Sequence, residues 1–141
     1  MTSIDQSPPG HRWPVRVYYE DTDAAGVVYY ANYLRFCERA RTEWLRSVGF
    51  QQKNMLAGQG LAFVVSRVEA DYLKSAELDD AIEVCSTIDN LGRASVIFRQ
   101  TVVRGTETLF VARVTVACVD WAKRRPVPLP DTLRSLLEIP A

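Results

Sequence analysis

Asp21 and Asp23 stand in the polar segment Glu20-Asp21-Thr22-Asp23-Ala24-Ala25-Gly26, directly ahead of a long stretch whose apolar residues recur at helical spacing. An aspartate with an ordinary pKa of ~3.9 is ionised at neutral pH, so it can take a proton from water or attack a carbonyl carbon itself. The start of the helix that follows supplies unbonded N–H groups and a partial positive charge, both suited to an anion. A carboxylate beside such donors can hydrolyse an acyl derivative: the first activates the attacking oxygen and the second hold the oxyanion. The same residues also serve as turn and capping residues, and by spacing alone that is their commoner use.

Composition narrows the chemistry further. The chain has 141 residues, 48% of them apolar, which is one domain of ordinary size. Its 17 Lys and Arg are matched by 17 Asp and Glu, so the basic excess expected of a nucleic-acid binder is missing. The single histidine, His11, lies in the polar stretch MTSIDQSPPGHR, read as a flexible leader over residues 1–12 ahead of a domain over 13–141. Chemistry that needs a positioned imidazole is therefore not expected, and neither a metal nor a cofactor is. Cys37, Cys85 and Cys118 are odd in number, far apart and never in a CxxC spacing, as free thiols in a reducing cytoplasm are. No run approaches the ~20 apolar residues of a membrane span, and the leader lacks the apolar core of a signal peptide.

These site residues need elements to hold them. Alternation from Trp13 to Tyr19 predicts a strand with Val15, Val17 and Tyr19 on one face. Tyr33, Phe36, Cys37, Ala40, Trp44, Leu45 and Val48 form the apolar face of a helix of about five turns closed by Gly49. Arg35, Glu38, Arg39, Arg41, Glu43 and Arg46 read as its solvated face. A polar stretch over 51–60, with room for one helical turn, precedes four strand-like runs with turn signals at Asp79-Asp80, Leu91-Gly92-Arg93 and Arg104-Gly105-Thr106. In the first run Val64, Ser66, Val68, Ala70 and Tyr72 share a face. Tight turns predict a meander, and the segment DTLRSLLEI a final short helix. The whole is an α+β fold in which a five-stranded antiparallel sheet wraps one long helix. The uncovered sheet face and edge call for a homodimer.

The stretch VRVYYEDTDAAGVVYYANYLRFCERARTEWL, with LAFVVSRVEADYLKSAELDD and the strand end ACVD, resembles the Tol-Pal-associated acyl-CoA thioesterases of the 4-hydroxybenzoyl-CoA thioesterase group. The resemblance runs from residue 13 to about 137. It implies a hot dog fold and hydrolysis of acyl-CoA thioesters at a dimer interface. In that family the second aspartate of the motif is the catalytic carboxylate, which matches Asp23, and the oxyanion donor is a backbone N–H matching Tyr30. Asp21 would then shape the loop, and Gly26 would let the backbone pass close to the thioester or simply make the turn. Tyr29 and Tyr33 are expected in the core or pocket wall.

Many relatives carry a histidine where this chain has Tyr30, so a His/Asp mechanism is not carried over. By similarity Glu38 falls where aromatic-ester enzymes place a carboxylate against the substrate ring, a solvated helix charge being the alternative. Arg93, with Ser95 beside it, falls where the resemblance puts a basic residue near the CoA phosphates, and Lys123-Arg124-Arg125 is a second basic patch. Residues of the helix and of Phe63 to Ser66 are expected to line the acyl pocket. The implied partners are acyl-CoA, acyl carrier protein and further copies of the chain, as a dimer or a tetramer. A non-catalytic module of the same fold, binding acyl groups or acyl carrier protein at the cell envelope, is the alternative in a different class.

Overall fold

The computed structural model describes residues 10–50 and 52–138. In chain order the elements are β1 (His11–Arg16), a 3-10 turn (Tyr19–Asp21), α1 (Tyr30–Ser47), α2 (Gln52–Gln59), β2 (Leu61–Tyr72), β3 (Ala81–Leu91), β4 (Ser95–Arg104), β5 (Glu107–Asp120), the two-residue β6 (Arg125–Pro126) and α3 (Asp131–Glu138). The sheet order is β1-β3-β4-β5-β2, antiparallel throughout, with β6 paired to the end of β5. The sheet curls around α1, as the hot dog arrangement requires. No helix among the described residues is long and apolar enough to cross a membrane.

The long helix forms where its apolar spacing puts it. Tyr33, Phe36, Cys37 and Ala40 are buried against Val84, Phe98, Val102, Phe110 and Val114 of the sheet. Each large buried side chain of this set contributes roughly 1.5–3 kcal/mol. Gly49 ends the helix at φ +89°, where its N–H bonds the Arg46 carbonyl and the Phe50 N–H bonds that of Leu45. That pair of bonds satisfies two of the carbonyls a helix end leaves open.

The structure departs from the sequence reading in several places. β1 begins at His11, not Trp13: His11 and Arg12 pair with Ser86 and Cys85 of β3, and the half-buried/exposed alternation reaches back to His11. His11 stacks on Trp44, with ring centroids 6.2 Å apart and planes 8° from parallel. At its other end β1 stops at Arg16, and Tyr19 is exposed in the 3-10 turn. Residues 1–9 of the expected leader lie outside the described residues. The segment around 51–60 contains two turns of helix, not one.

Only β3, β4 and β5 make a meander. β2 pairs with β5 at the far edge, so residues 73–80 cross the sheet instead of turning tightly. The two aspartates read as a hairpin turn end this crossover: Asp79 (φ +70°) gives its N–H to the Val17 carbonyl, and the Asp80 carbonyl accepts the Val17 N–H. A bulge between Val65 and Arg67 also splits the face assigned to β2. Phe63 and Val65 face α1 before it, while Ala70 and Tyr72 pack inward after it. Arg41, finally, is buried and not solvated. Its Nη1 donates to Gln100 Oε1 at 2.8 Å, and Gln100 in turn donates to the Cys37 carbonyl and to Ser86 Oγ.

Candidate active site

The loop ahead of α1 is folded by its own short-range bonds. Asp21 accepts the Tyr18 N–H through Oδ2 at 2.9 Å, while its carbonyl accepts both the Tyr29 N–H and Asn32 Nδ2 at 2.9 Å. This aspartate fastens the 3-10 turn to the helix start. Across the loop, Thr22 bridges Val28 and the Asp23 N–H bonds the Val27 carbonyl at 2.9 Å. Gly26 makes the reversal at φ +82°, a backbone region costly for residues with a Cβ. An added Cβ would meet nothing within 4 Å, so the turn itself accounts for this glycine.

Asp23 is exposed. Its Oδ1 accepts the Ala25 N–H at 2.8 Å, and among the described residues Oδ2 has no partner. Tyr30 is the first residue of α1, and the capping residue Tyr29 makes no side-chain bond to the helix start. Among the described residues the N–H groups of Tyr30 and Ala31 are unbonded. A carboxylate oxygen and two helix-start donors are therefore available around one loop, where the positive end of the helix favours an anion.

The crossover braces this loop from behind. The Val28 N–H bonds the Ala76 carbonyl at 2.8 Å, Val27 bridges Glu77, and the buried Tyr33 hydroxyl accepts the Ala76 N–H at 2.9 Å. The crossover is itself clamped to the β4–β5 hairpin. Arg104 contacts Asp80 and Glu107 at 2.7 Å each, and Lys74 contacts Glu107 at 2.7 Å. Hydrogen bonds from Lys74 and then Arg104 hold the Glu107 carboxyl down to about 2. At Asp80 burial pushes the carboxyl up, but the Glu77 N–H and Arg104 together outweigh it and leave it lowered.

Aromatic rings wall the site. Tyr33 is core, stacked on Phe110 with centroids 5.1 Å apart, while Tyr29 and Tyr30 are exposed and 4.7 Å apart. Tyr72 was not among the residues expected at the site. Its ring meets Tyr30 edge-on at 6.1 Å and its hydroxyl donates to the Tyr30 carbonyl at 3.1 Å. Its place on the inward face of β2 was the available signal. Cys37 is buried, and burial pushes its thiol up to about 12, which leaves it protonated and a poor nucleophile.

The remaining expected residues lie elsewhere. Glu38 is exposed on α1, at the edge of a cavity of about 260 Å³ lined also by Arg41, Leu45, Phe63 and Val65. Arg93 and Ser95 lie at the β3–β4 turn and the start of β4, and Lys123 to Arg125 beyond the end of β5. Both basic groups sit at the end of the sheet where Leu61 meets Asp120, whereas Tyr72, beside Tyr30, marks the other end. One chain therefore does not bring them to Asp23. The Arg93 carbonyl accepts Leu129 N–H, and the Arg124 guanidinium lies 3.5 Å over the Trp121 ring.

Comparison with known proteins shows the family. The model of the thioesterase-like superfamily matches residues 17–137. An acyl-CoA thioesterase named YbgC from Haemophilus influenzae is 48% identical over 126 residues, covering 89% of this chain and 93% of the relative. An acyl-CoA thioester hydrolase of the same name from Escherichia coli is 47% identical over 123 residues, covering 86% and 91%. Among solved structures, a probable thioesterase from Bartonella henselae superposes with a TM-score of 0.81 at 35% identity, covering 86% of this chain and 99% of that one. The chain belongs to the thioesterase-like superfamily and has its hot dog fold.

Proposed function

We infer that the protein hydrolyses acyl-CoA thioesters, with Asp23 as the carboxylate and the Tyr30 N–H as the oxyanion donor. The observation that carries this reading is the unbonded helix-start N–H of Tyr30 one short loop after a carboxylate with a free oxygen. Water adds to the thioester carbonyl carbon while Asp23 takes its proton, or Asp23 adds first and water cleaves the resulting anhydride. In either route the Tyr30 amide holds the oxyanion, the C–S bond breaks, and the thiolate leaves and recovers a proton as CoA thiol. One such donor is worth about 3–4 kcal/mol of barrier.

The working unit of this reading is a homodimer. β2 is an unpaired edge, with Val65, Val68, Tyr72 and Leu73 exposed along it. A second copy running antiparallel would cover these residues and bring its Arg93, Ser95 and Lys123 to Arg125 to the CoA end of the first copy's site. This accounts for two halves of one binding site lying at opposite ends of a single chain. Acyl carrier protein is a further thioester carrier that the same site would accept.

The test is release of free thiol from a panel of aliphatic and aromatic acyl-CoAs by the unaltered protein and Asp23→Asn. Asn keeps the acceptor for the Ala25 N–H but is neither base nor nucleophile, so turnover should fall by roughly 10²–10⁴ with the melting temperature unchanged. No turnover on any acyl group, or full turnover by a folded Asp23→Asn, would overturn the assignment.

A further inference from the structure

The cavity between α1, the sheet and α3 is walled mainly by apolar side chains, among them Leu45, Phe63, Phe98 and Leu133. Arg41 also lines it, and this residue is only 9% exposed. Its one hydrogen bond among the described residues is to Gln100, a neutral group, and no carboxylate of the described residues lies within 4 Å of it. Glu38, three residues away on α1, sits exposed at the lip of the cavity, and its charge acts on Arg41 without an ion-pair contact. A guanidinium has five N–H donors, and the three on Nε and Nη2 have no partner among the described residues. They are not sealed in the core: among the described residues the only sealed and unpaired side-chain nitrogen or oxygen is His11 Nδ1. The free donors therefore open on the cavity.

A buried cation with no carboxylate in contact is costly: burial lowers the Arg41 pKa, against the opposing pull of Cys37 and Glu38. A carboxylate entering the cavity would supply a direct ionic contact and accept two parallel N–H bonds. The apolar walls specify the rest of that ligand as hydrocarbon.

The cavity and the Tyr30 N–H lie along the same helix. Tyr30, Leu34, Glu38, Arg41 and Leu45 recur at three- and four-residue spacing and share one face of α1. β2 runs beside that face in the opposite direction, with Tyr72 bonded to Tyr30 at one end and Phe63 and Val65 lining the cavity at the other. Along the helix Arg41 lies eleven residues from Tyr30, roughly 16 Å, about the reach of an extended acyl chain of a dozen carbons.

Building on the thioesterase reading, we propose that this cavity receives the far end of the acyl group and that Arg41 selects acyl groups ending in a carboxylate. The preferred substrates are then long-chain dicarboxylic acids esterified to CoA at one end. Arg41 is a specificity residue in this scheme: it binds the distal carboxylate and takes no part in breaking the thioester.

Dodecanedioyl-CoA and dodecanoyl-CoA, which differ only at the far end, provide the test. In the unaltered protein kcat/KM for the dicarboxylic ester should exceed that for the monocarboxylic one at least tenfold. Arg41→Gln should bring the ratio below one, and Arg41→Lys, which keeps the charge but not the fork, should retain part of it. Equal turnover of both esters by the unaltered protein, or an unchanged ratio in folded Arg41→Gln, would overturn the proposal. Calorimetric binding of both esters to Asp23→Asn separates the two readings. Tighter binding of the dicarboxylic ester, erased by adding Arg41→Gln, supports the cavity assignment even where the unaltered protein hydrolyses neither. Hydrolysis of both without discrimination leaves the thioesterase reading standing and sinks the role of Arg41.

Discussion

The Tyr72 hydroxyl donates to the Tyr30 carbonyl at 3.1 Å, which ties the edge strand to the residue whose own N–H is free at the helix start. Tyr72→Phe keeps the ring against Tyr33 and Phe110, at 5.7 and 4.9 Å, and deletes only this bond. A net hydrogen bond of about 0.5–1.5 kcal/mol predicts a fall in kcat of roughly 2- to 13-fold. Steady-state kinetics should show the loss in kcat with KM little changed, as for a contact that aims a donor at the transition state.

His11 is a packing residue, stacked on Trp44 near the other end of α1 from the Asp23 loop. His11→Leu should leave kcat/KM within about threefold of the unaltered protein. Burial lowers the His11 pKa, so the unfolded chain takes up this proton first as pH falls below ~6.5. Stability should therefore decline from pH 7 toward pH 5, and His11→Leu should flatten that decline in thermal melts.

Glu107 governs a second, more acidic window. Its carboxyl is held down to about 2 by Lys74 and Arg104, whereas an unfolded Glu titrates at ~4.3. Its stabilising contribution is complete above that value and is lost as the pH falls toward 2. Melting temperatures measured from pH 5 down to 2 should drop less steeply in Lys74→Met than in the unaltered protein.

Gly49 offers a test of helix termination free of packing effects. An added Cβ would meet nothing within 4 Å, so Gly49→Ala costs only the left-handed backbone at φ +89°. That is about 1–2 kcal/mol. Urea denaturation should show this loss in the midpoint, with an unchanged slope.

What the sequence made legible was local. The residues from Asp21 to Gly26 form the loop that their types announce, and the spacing of Tyr33, Phe36, Cys37 and Ala40 describes the buried face of α1. What it hid depends on partners distant in the chain. Arg41 reads as solvated until Gln100, 59 residues away, is seen to accept its hydrogen bond. The bulge at Ser66 leaves no mark in an alternating run, yet it decides which residues of β2 face the helix. Tight-turn signals likewise cannot tell a hairpin from a crossover, because Asp79 takes the same backbone shape to bond Val17.

The sheet order also bears on how the molecule is made. β2 leaves the ribosome before β3, β4 and β5, yet its only partner in the sheet is β5, whose last residue is Asp120. A pairing between strands so far apart in sequence is slow to form, because the loop between them must close before its contacts stabilise it. Closing β2 onto β5 also brings Tyr72 to Tyr30 and Phe63 to the cavity wall. The wall that β2 gives this cavity should thus be among the last parts of the nascent protein to close.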